Sequence, residues 1–296
     1  MNLENISIRG QLLYDEPMSR HTSLKVGGAA DLYAEPEDAD DLLTLVRSLK
    51  ERQAPWLTIG RGYNLLVRDG GIRGAVISLA RFNRISEAGE RLIRAEAGVE
   101  NLALVRFAQE RGLGGIGYIS GIPGTVGGAV KMNAGAYGSG VLERLESLTL
   151  LLGDTVAEYR REELDYGYRR LTLPVGAIVL AALFRLVEYD PQQTEEEIRK
   201  DTELRRSKHN VGFPSAGSFF KNPSGQAAWR LIDRANLRGV TVGGAQVSKV
   251  HSNFLINRGG ATAADFLGLA TRVKEAVFAA TGVQLEEEVR IVGEEP

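Results

Sequence analysis

Glycine placement constrains this chain more than any other feature. Of 296 residues, 35 are glycine, and they crowd into short stretches instead of spreading evenly. Glycine loses more backbone freedom on folding than any other residue, so dense clusters are costly to order. The expectation is that bare main chain here approaches something closely. The densest stretch covers residues 112–140, and within it lies Gly121-Ile122-Pro123-Gly124-Thr125-Val126-Gly127-Gly128-Ala129. A flat or bulky cofactor lying against such backbone would offset the ordering cost.

A smaller cluster, Gly60-Arg61-Gly62-Tyr63-Asn64-Leu65, follows a short apolar run at residues 56–59. It imitates a dinucleotide fingerprint but places Leu65 at the third glycine position, where helix–strand packing needs a small residue. Such a turn can still aim consecutive amides at an anion. On the motif alone, a tight turn without a ligand is the plainer reading. A phosphate-binding Walker loop fails for the longer stretch, since no Gly-Lys-[Ser/Thr] closes it.

The rest of the composition mainly excludes. A chain of this length is too long for one small domain and suffices for two or three. Net charge is -2, which gives no electrostatic reason to expect nucleic acid or an acidic membrane surface as partner. There are no cysteines, so disulfides, thiolate-bound metals and a thiol nucleophile are excluded. The histidines, His21, His209 and His251, lack metal-ligand spacing, and no metal site is expected. The longest apolar run, residues 177–184, is far too short to span a bilayer. A cytoplasmic protein is expected, and no protein partner is.

Periodicity predicts amphipathic helices over residues 38–53, 99–111 and 262–282, and a charged helix over 194–206 that joins two domains. A further helix is expected to end at Gly239. Strands are predicted at 56–59, 76–79, 92–95, 145–152, 178–187, 240–247, 253–256 and 288–292. Strands and helices mix without strict alternation, which favours an α+β class over a doubly wound sheet.

Six segments, in order, make the chain resemble the UDP-N-acetylenolpyruvoylglucosamine reductase family. They are Thr22-Ser23-Leu24-Lys25-Val26-Gly27-Gly28, the Gly60 loop, residues 120–138, Tyr166-Gly167-Tyr168-Arg169, Gly217-Ser218-Phe219-Phe220-Lys221-Asn222-Pro223, and Leu285-Glu286-Glu287-Glu288-Val289. The resemblance implies an FAD-binding fold of the vanillyl-alcohol-oxidase type in two subdomains, residues 1–80 and 81–206. A third α+β substrate-binding domain, 207–289, would follow, with a strand in 290–296 returning to the first.

It also implies non-covalent FAD, held by Gly60, Arg61, Gly62, Tyr63, Asn64 and Leu65 and by Gly121, Ile122, Pro123, Gly124, Gly127, Gly128 and Ala129. NADPH would reduce the flavin and leave. The enolpyruvyl ether of UDP-N-acetylglucosamine would then take hydride from flavin N5 at C3 and a proton at C2. By the family pattern Arg169, Ser218 and Glu288 carry this chemistry, and Tyr168, Lys221, Asn222, Arg206 and His251 bind the substrate. Three positions depart from that pattern: His21 for the usual Asn, Tyr63 for Ser, and Leu171 for Ser. Arg169 and Ser218 are 49 positions apart, a gap that resembles the family's shorter subclass.

The chemistry suits these residue types. Hydride at C3 leaves negative charge on C2 and the carboxylate, which calls for fixed donors. Arginine is always charged and grips carboxylates with a planar fork. Taken alone, Arg169 reads as a surface residue paired with Asp165 or Glu162. Glu288, kept protonated beside substrate charge, would donate to the carboxylate; strand alternation would set it apart from Glu287. Ser218, beside a glycine, can approach C2 closely. Two other readings stay open: another FAD-linked oxidoreductase of the same superfamily, and a flavin- or nucleotide-binding protein without turnover.

Overall fold

The structure is a computed structural model, and it describes residues 3–136, 139–208 and 211–296. The chain forms two compact units. The first contains residues 1–14, 32–61 and 74–203; the second contains 15–31, 62–73 and 204–296.

Two sheets of four and five strands dominate the first unit. One is ordered Gln11–Pro17, Ala29–Glu35, Ile72–Ser78, Trp56–Ile59, and three of its strands run on into residues of the second unit. Its last pair is parallel, with Trp56 opposite Ala75 and Ile59 opposite Ser78. The other sheet has five strands, ordered Thr155–Arg160, Leu145–Leu152, Ile178–Arg185, Leu92–Glu96, Ile85–Gly89. Its central strands are the apolar runs expected from the sequence, and their side chains are mostly buried.

Helix α1, Ala39–Glu51, packs Leu42, Leu45, Val46 and Leu49 into the core at helical spacing. Asp38 caps its first turn by accepting from the Asp41 amide at 3.0 Å. Asp41 is itself buried and accepts from the amides of Arg9 (2.7 Å), Gly10 (2.9 Å) and Glu37 (2.9 Å). Burial raises its pKa, but these amides outweigh burial and hold the carboxyl below its usual range. Helix α2 is Asn101–Gln109, helix α3 is Val126–Lys131, and helix α4, Pro191–Lys208, carries the chain into the second unit.

The second unit has its own core, built around Phe219, Phe220, Leu66, Phe266 and Val273. Helix α5 is Ala228–Arg234 and helix α6 is Ala263–Thr281, which ends on Gly282 at φ +71 as the sequence predicts. Thr262 caps α6, and the Asp69 carboxylate accepts from the Ala263 and Ala264 amides at 2.8 Å each. A sheet runs Ser215–Ser218, Phe254–Asn257, Ala245–Val247, Thr241–Val242. The single strand expected over 240–247 is therefore a hairpin, turned at Gly243 with φ +50. Leu65–Val67 pairs in parallel with Arg290–Val292, with Leu65 opposite Arg290. No helix among the described residues is long and apolar enough to cross a membrane.

Candidate active site

In the first unit the arginine motif is a hairpin. Asp165–Gly167 pairs with Arg170–Thr172, and Tyr168 and Arg169 form its two-residue tip. Arg169 takes φ +54, a left-handed conformation that a non-glycine residue adopts at a cost. Its Nη2 donates to the Gly135 carbonyl at 2.9 Å, and its guanidinium lies 5.1 Å from the Tyr168 ring centre.

Asp165 does not take Arg169, as a plain surface pairing would have it. It takes Arg170 through both carboxylate oxygens, and that bond, with the Thr172 hydroxyl, holds it below its usual range. Asn133 supports the hairpin by donating to the Gly167 carbonyl at 3.0 Å while accepting from the Leu142 amide at 3.2 Å. Leu171 is buried in the core of this unit, opposite Tyr166. It supports the hairpin through packing where the family pattern would place a hydroxyl.

The long glycine stretch lies beside this hairpin, since strand Arg170–Thr172 packs on α3. Thr125 caps α3, and the first amides of the helix are used inside the protein: Val126 donates to the Val99 carbonyl and Gly127 to that of Ala97, both at 2.8 Å. Not every glycine here faces a ligand. A Cβ on Gly127 would come within 2.9 Å of the Ala97 Cβ, and one on Gly60 within 2.6 Å of the Thr125 hydroxyl. These two are demanded by the protein's own close packing. At Gly124 and Gly128 a Cβ would meet nothing nearer than 3.8 Å and 3.6 Å, ordinary contact distances, so packing does not demand glycine there, although Gly124 has φ +140.

Ile122 and Gly124 give their carbonyls to Asn101, and Ala129 is buried in the core with Ile122 packed against it. Pro123 and Gly121 are half-buried. Three buried polar atoms around this stretch make no hydrogen bond among the described residues: Asn101 Oδ1, Tyr118 OH and Ser120 Oγ. Burial pushes the Tyr118 hydroxyl up to about 12, with Glu143 adding to the shift and Arg144 opposing it. Buried polar groups are normally satisfied, so bare backbone with unsatisfied donors and acceptors fits a polar, flat cofactor such as FAD. Sequence reasoning missed Asn101 and Tyr118, which lie outside the glycine motif. Arg61, near the start of the short cluster, pairs with Glu100.

In the second unit the remainder of the short cluster forms a turn. Gly62 has φ +64, and a Cβ there would fall 2.0 Å from the His21 carbonyl, so its glycine is required by the chain itself. Ser23 donates its amide to the Gly62 carbonyl at 3.1 Å. The amides of Gly62, Tyr63 and Asn64 donate to no group among the described residues. Such a run of open amides is what an anion such as a pyrophosphate requires. Tyr63 is exposed, and Leu65 is buried at the start of its strand. His21 pairs through Nε2 with Glu16 at 2.9 Å.

The serine motif is anchored on both edges. Gly217 takes φ +76, and the pairing with Phe254–Asn257 slips between Ser215 and Ser218, a bulge that re-aims the serine. Phe219 and Phe220 are fully buried, and Asn253 grips their backbone: it accepts from the Phe219 amide at 2.7 Å and exchanges bonds of 3.0 and 2.8 Å with Phe220. On the other edge Phe220 bridges Glu287, and the Phe219 carbonyl accepts from Glu288 at 2.8 Å and Val289 at 3.4 Å. The sequence-expected strand over 288–292 therefore starts at Arg290, after a bulge.

This contact sets the main chain of the glutamate motif against that of the serine motif. The Ser218 hydroxyl is half-buried and makes no hydrogen bond among the described residues. The neighbouring glutamates are neutralised separately: Glu286 by Lys221 at 3.1 Å and Glu287 by Lys274 at 3.0 Å. Asn222 spends its carbonyl oxygen on the Ala228 amide at the start of α5. His251 stacks on Phe254, 4.5 Å between ring centres. The side chain of Arg206 lies outside the described residues, as do Tyr137 and Gly138.

With this geometry in view, comparison with known proteins decides the family. A family described as "UDP-N-acetylenolpyruvoylglucosamine reductase, C-terminal domain" matches residues 208–292, and one described as "FAD binding domain" matches 30–156. A UDP-N-acetylenolpyruvoylglucosamine reductase of Pelobacter propionicus is 71% identical over all of both chains. One of Geobacter metallireducens is 59% identical, covering 97% of this chain and 96% of its own. The chain belongs to the UDP-N-acetylenolpyruvoylglucosamine reductase family. The crystal structure of such a reductase from Thermus caldophilus has a TM-score of 0.83 at 34% identity, covering 98% of this chain and 100% of its own. The α+β class expected from the sequence holds, and the chain is an FAD-dependent oxidoreductase of a family that uses NADPH as hydride donor.

Proposed function

We propose that this chain reduces UDP-N-acetylglucosamine enolpyruvate to UDP-N-acetylmuramate with NADPH and FAD, in the cytoplasm, as a step of peptidoglycan precursor synthesis. Family membership over the full chain supports the reaction. The observation that supports the residue assignment is the hydrogen bond from the Glu288 amide to the carbonyl of Phe219, the residue after Ser218.

Bound FAD would supply the hydride chemistry between NADPH and C3 of the enolpyruvyl group. Its polar parts would be held by the open amides of the Gly62 turn and by Asn101, Tyr118 and Ser120. Charge then develops at C2 and on the substrate carboxylate. Arg169 grips that carboxylate, and Glu288, protonated, donates to it. The Ser218 hydroxyl gives its proton to C2, completing addition across the double bond, and regains one from solvent. Tyr168, Lys221, Asn222, Arg206 and His251 bind the UDP-sugar. Of these, Lys221 and Asn222 follow the serine directly, and the neutral Lys221–Glu286 pair keeps an ammonium at that edge. The boundaries 1–80, 81–206 and 207–289 remain our proposal for two flavin subdomains and a substrate domain.

Stopped-flow measurement of the two half-reactions tests this. Ser218→Ala should slow reoxidation of reduced flavin by the enolpyruvyl substrate at least about a hundredfold more than it slows reduction by NADPH. Equal losses in both halves would make Ser218 a structural residue and defeat the mechanism.

A further inference from the structure

Asn64 belongs to the glycine turn and so reads as a cofactor contact, yet its side chain is occupied elsewhere. Nδ2 donates to the Glu288 carbonyl at 3.2 Å, and the Asn64 carbonyl accepts from the Arg290 amide at 3.1 Å. One residue thus spans the main chain on both sides of Val289. The opposite edge of the same segment is held by the Phe219 carbonyl, through the Glu288 and Val289 amides. The segment is bulged at this point, because two successive amides converge on one acceptor. A bulge interrupts the ladder that would otherwise fix Glu288. On the Asn64 edge regular pairing begins only at Arg290, opposite Leu65. The Asn64 amide fills that interruption.

We infer that Asn64 is a positioning residue for Glu288, holding its main chain in register from within the turn whose open amides suit an anion. The inference rests on the reading of Glu288 as donor to the substrate carboxylate. In this arrangement the side chain of Asn64 serves the oxidative half-reaction, while its main chain remains available to the cofactor. Displacing a reacting group by about an ångström costs on the order of a hundredfold in rate. Loss of the Asn64 donor should therefore appear as a lower limiting rate, with little change in substrate binding.

The test compares Asn64→Leu, which keeps volume but removes the donor, with Asn64→Gln, which returns an amide, and with Glu288→Gln. FAD affinity is read by fluorescence during titration of the apoprotein, and the oxidative half-reaction by stopped flow at varied substrate. For Asn64→Leu we expect the limiting oxidative rate to fall roughly 10- to 100-fold. That fall should exceed the loss of FAD affinity at least about tenfold, with the apparent substrate constant changed less than about threefold. Asn64→Gln should recover a substantial part of the rate. Should Asn64→Leu not fold, Asn64→Ser, whose hydroxyl is too short to reach Glu288, takes its place with the same expectation.

A rate that falls no further than FAD affinity, a loss confined to substrate binding, or no recovery in Asn64→Gln overturns the inference. A normal oxidative rate in Glu288→Gln would instead overturn the reading of Glu288 on which it rests, so the two failures are told apart.

Discussion

The arginine hairpin and the serine strand solve the same problem in opposite ways. Both must present one polar side chain from a backbone that leaves regular geometry. In the hairpin the strained residue is the functional one, since Arg169 itself takes φ +54. In the strand the irregularity is displaced onto Gly217 at φ +76, and Ser218 keeps an ordinary backbone. Ser218 is then fixed through main-chain bonds on two edges, whereas Arg169 is steadied by the Gly135 carbonyl and by Asn133 beneath its turn. A serine hydroxyl has a short reach and needs its backbone fixed closely. An arginine has a long side chain, and its fork finds its partner from a tip.

The largest expected effect would break this comparison on the arginine side. Arg169→Lys keeps charge but loses the fork, and should cost roughly 2.7–4 kcal/mol of transition-state stabilisation in the oxidative half-reaction while retaining flavin. An unchanged rate in stopped flow would show that Arg169 is a surface residue. Next, Glu288→Gln should slow that half-reaction on the order of a hundredfold, whereas Glu287→Gln, which removes only a pairing with Lys274, should change it less than about threefold. A larger effect at Glu287 would reverse the assignment of the two carboxylates.

Two stability measurements sharpen the contrast. Asp41→Asn leaves buried amides poorly satisfied and should cost about 1–3 kcal/mol at neutral pH by chemical denaturation. The native Asp41 pKa is depressed, so its contribution is present above the unfolded carboxylate value of about 3.9 and is lost as pH falls through the folded value. The difference between native and Asp41→Asn proteins should therefore shrink on acidification; a difference that grows would refute the assignment. Gly217→Ala meets no atom within 4 Å, so only its backbone angle is strained. It should cost about 1–2 kcal/mol by the same measurement, and a neutral result would mean that the bulge tolerates a side chain.

Much of the scaffold was legible because apolar spacing survives in the sequence. The runs at residues 145–152 and 178–185 and the stripe of α1 are core faces, and they emerged nearly at their expected bounds. What escaped was built from polar or sparse residues. The exposed strand Ile85–Gly89 carries little apolar signal. Helix α3 hides among glycines that disfavour helix, and is stabilised by the Thr125 cap and the packing of Val126 and Val130. The glycines themselves misled in part: Gly60, Gly62 and Gly127 answer to the protein's own atoms, which no sequence pattern separates from closeness to a ligand. Ser218 and Glu288 were legible as types in motifs, but the bonding of the Glu288 and Val289 amides to the one Phe219 carbonyl is an irregularity that alternation does not foretell.

The parallel pairing of Leu65–Val67 with Arg290–Val292 has a consequence for biosynthesis. One strand of this pair is translated more than two hundred residues before the other. At a ribosomal rate of about 5–20 residues per second, the early strand waits on the order of ten seconds or more for its neighbour. The first unit is complete by Glu203, so the whole of it is translated before Arg290–Val292. Until Phe219 is translated, only Leu24 and Val26 of the core that buries Leu66 exist, so its apolar face has little to pack against for the greater part of the wait.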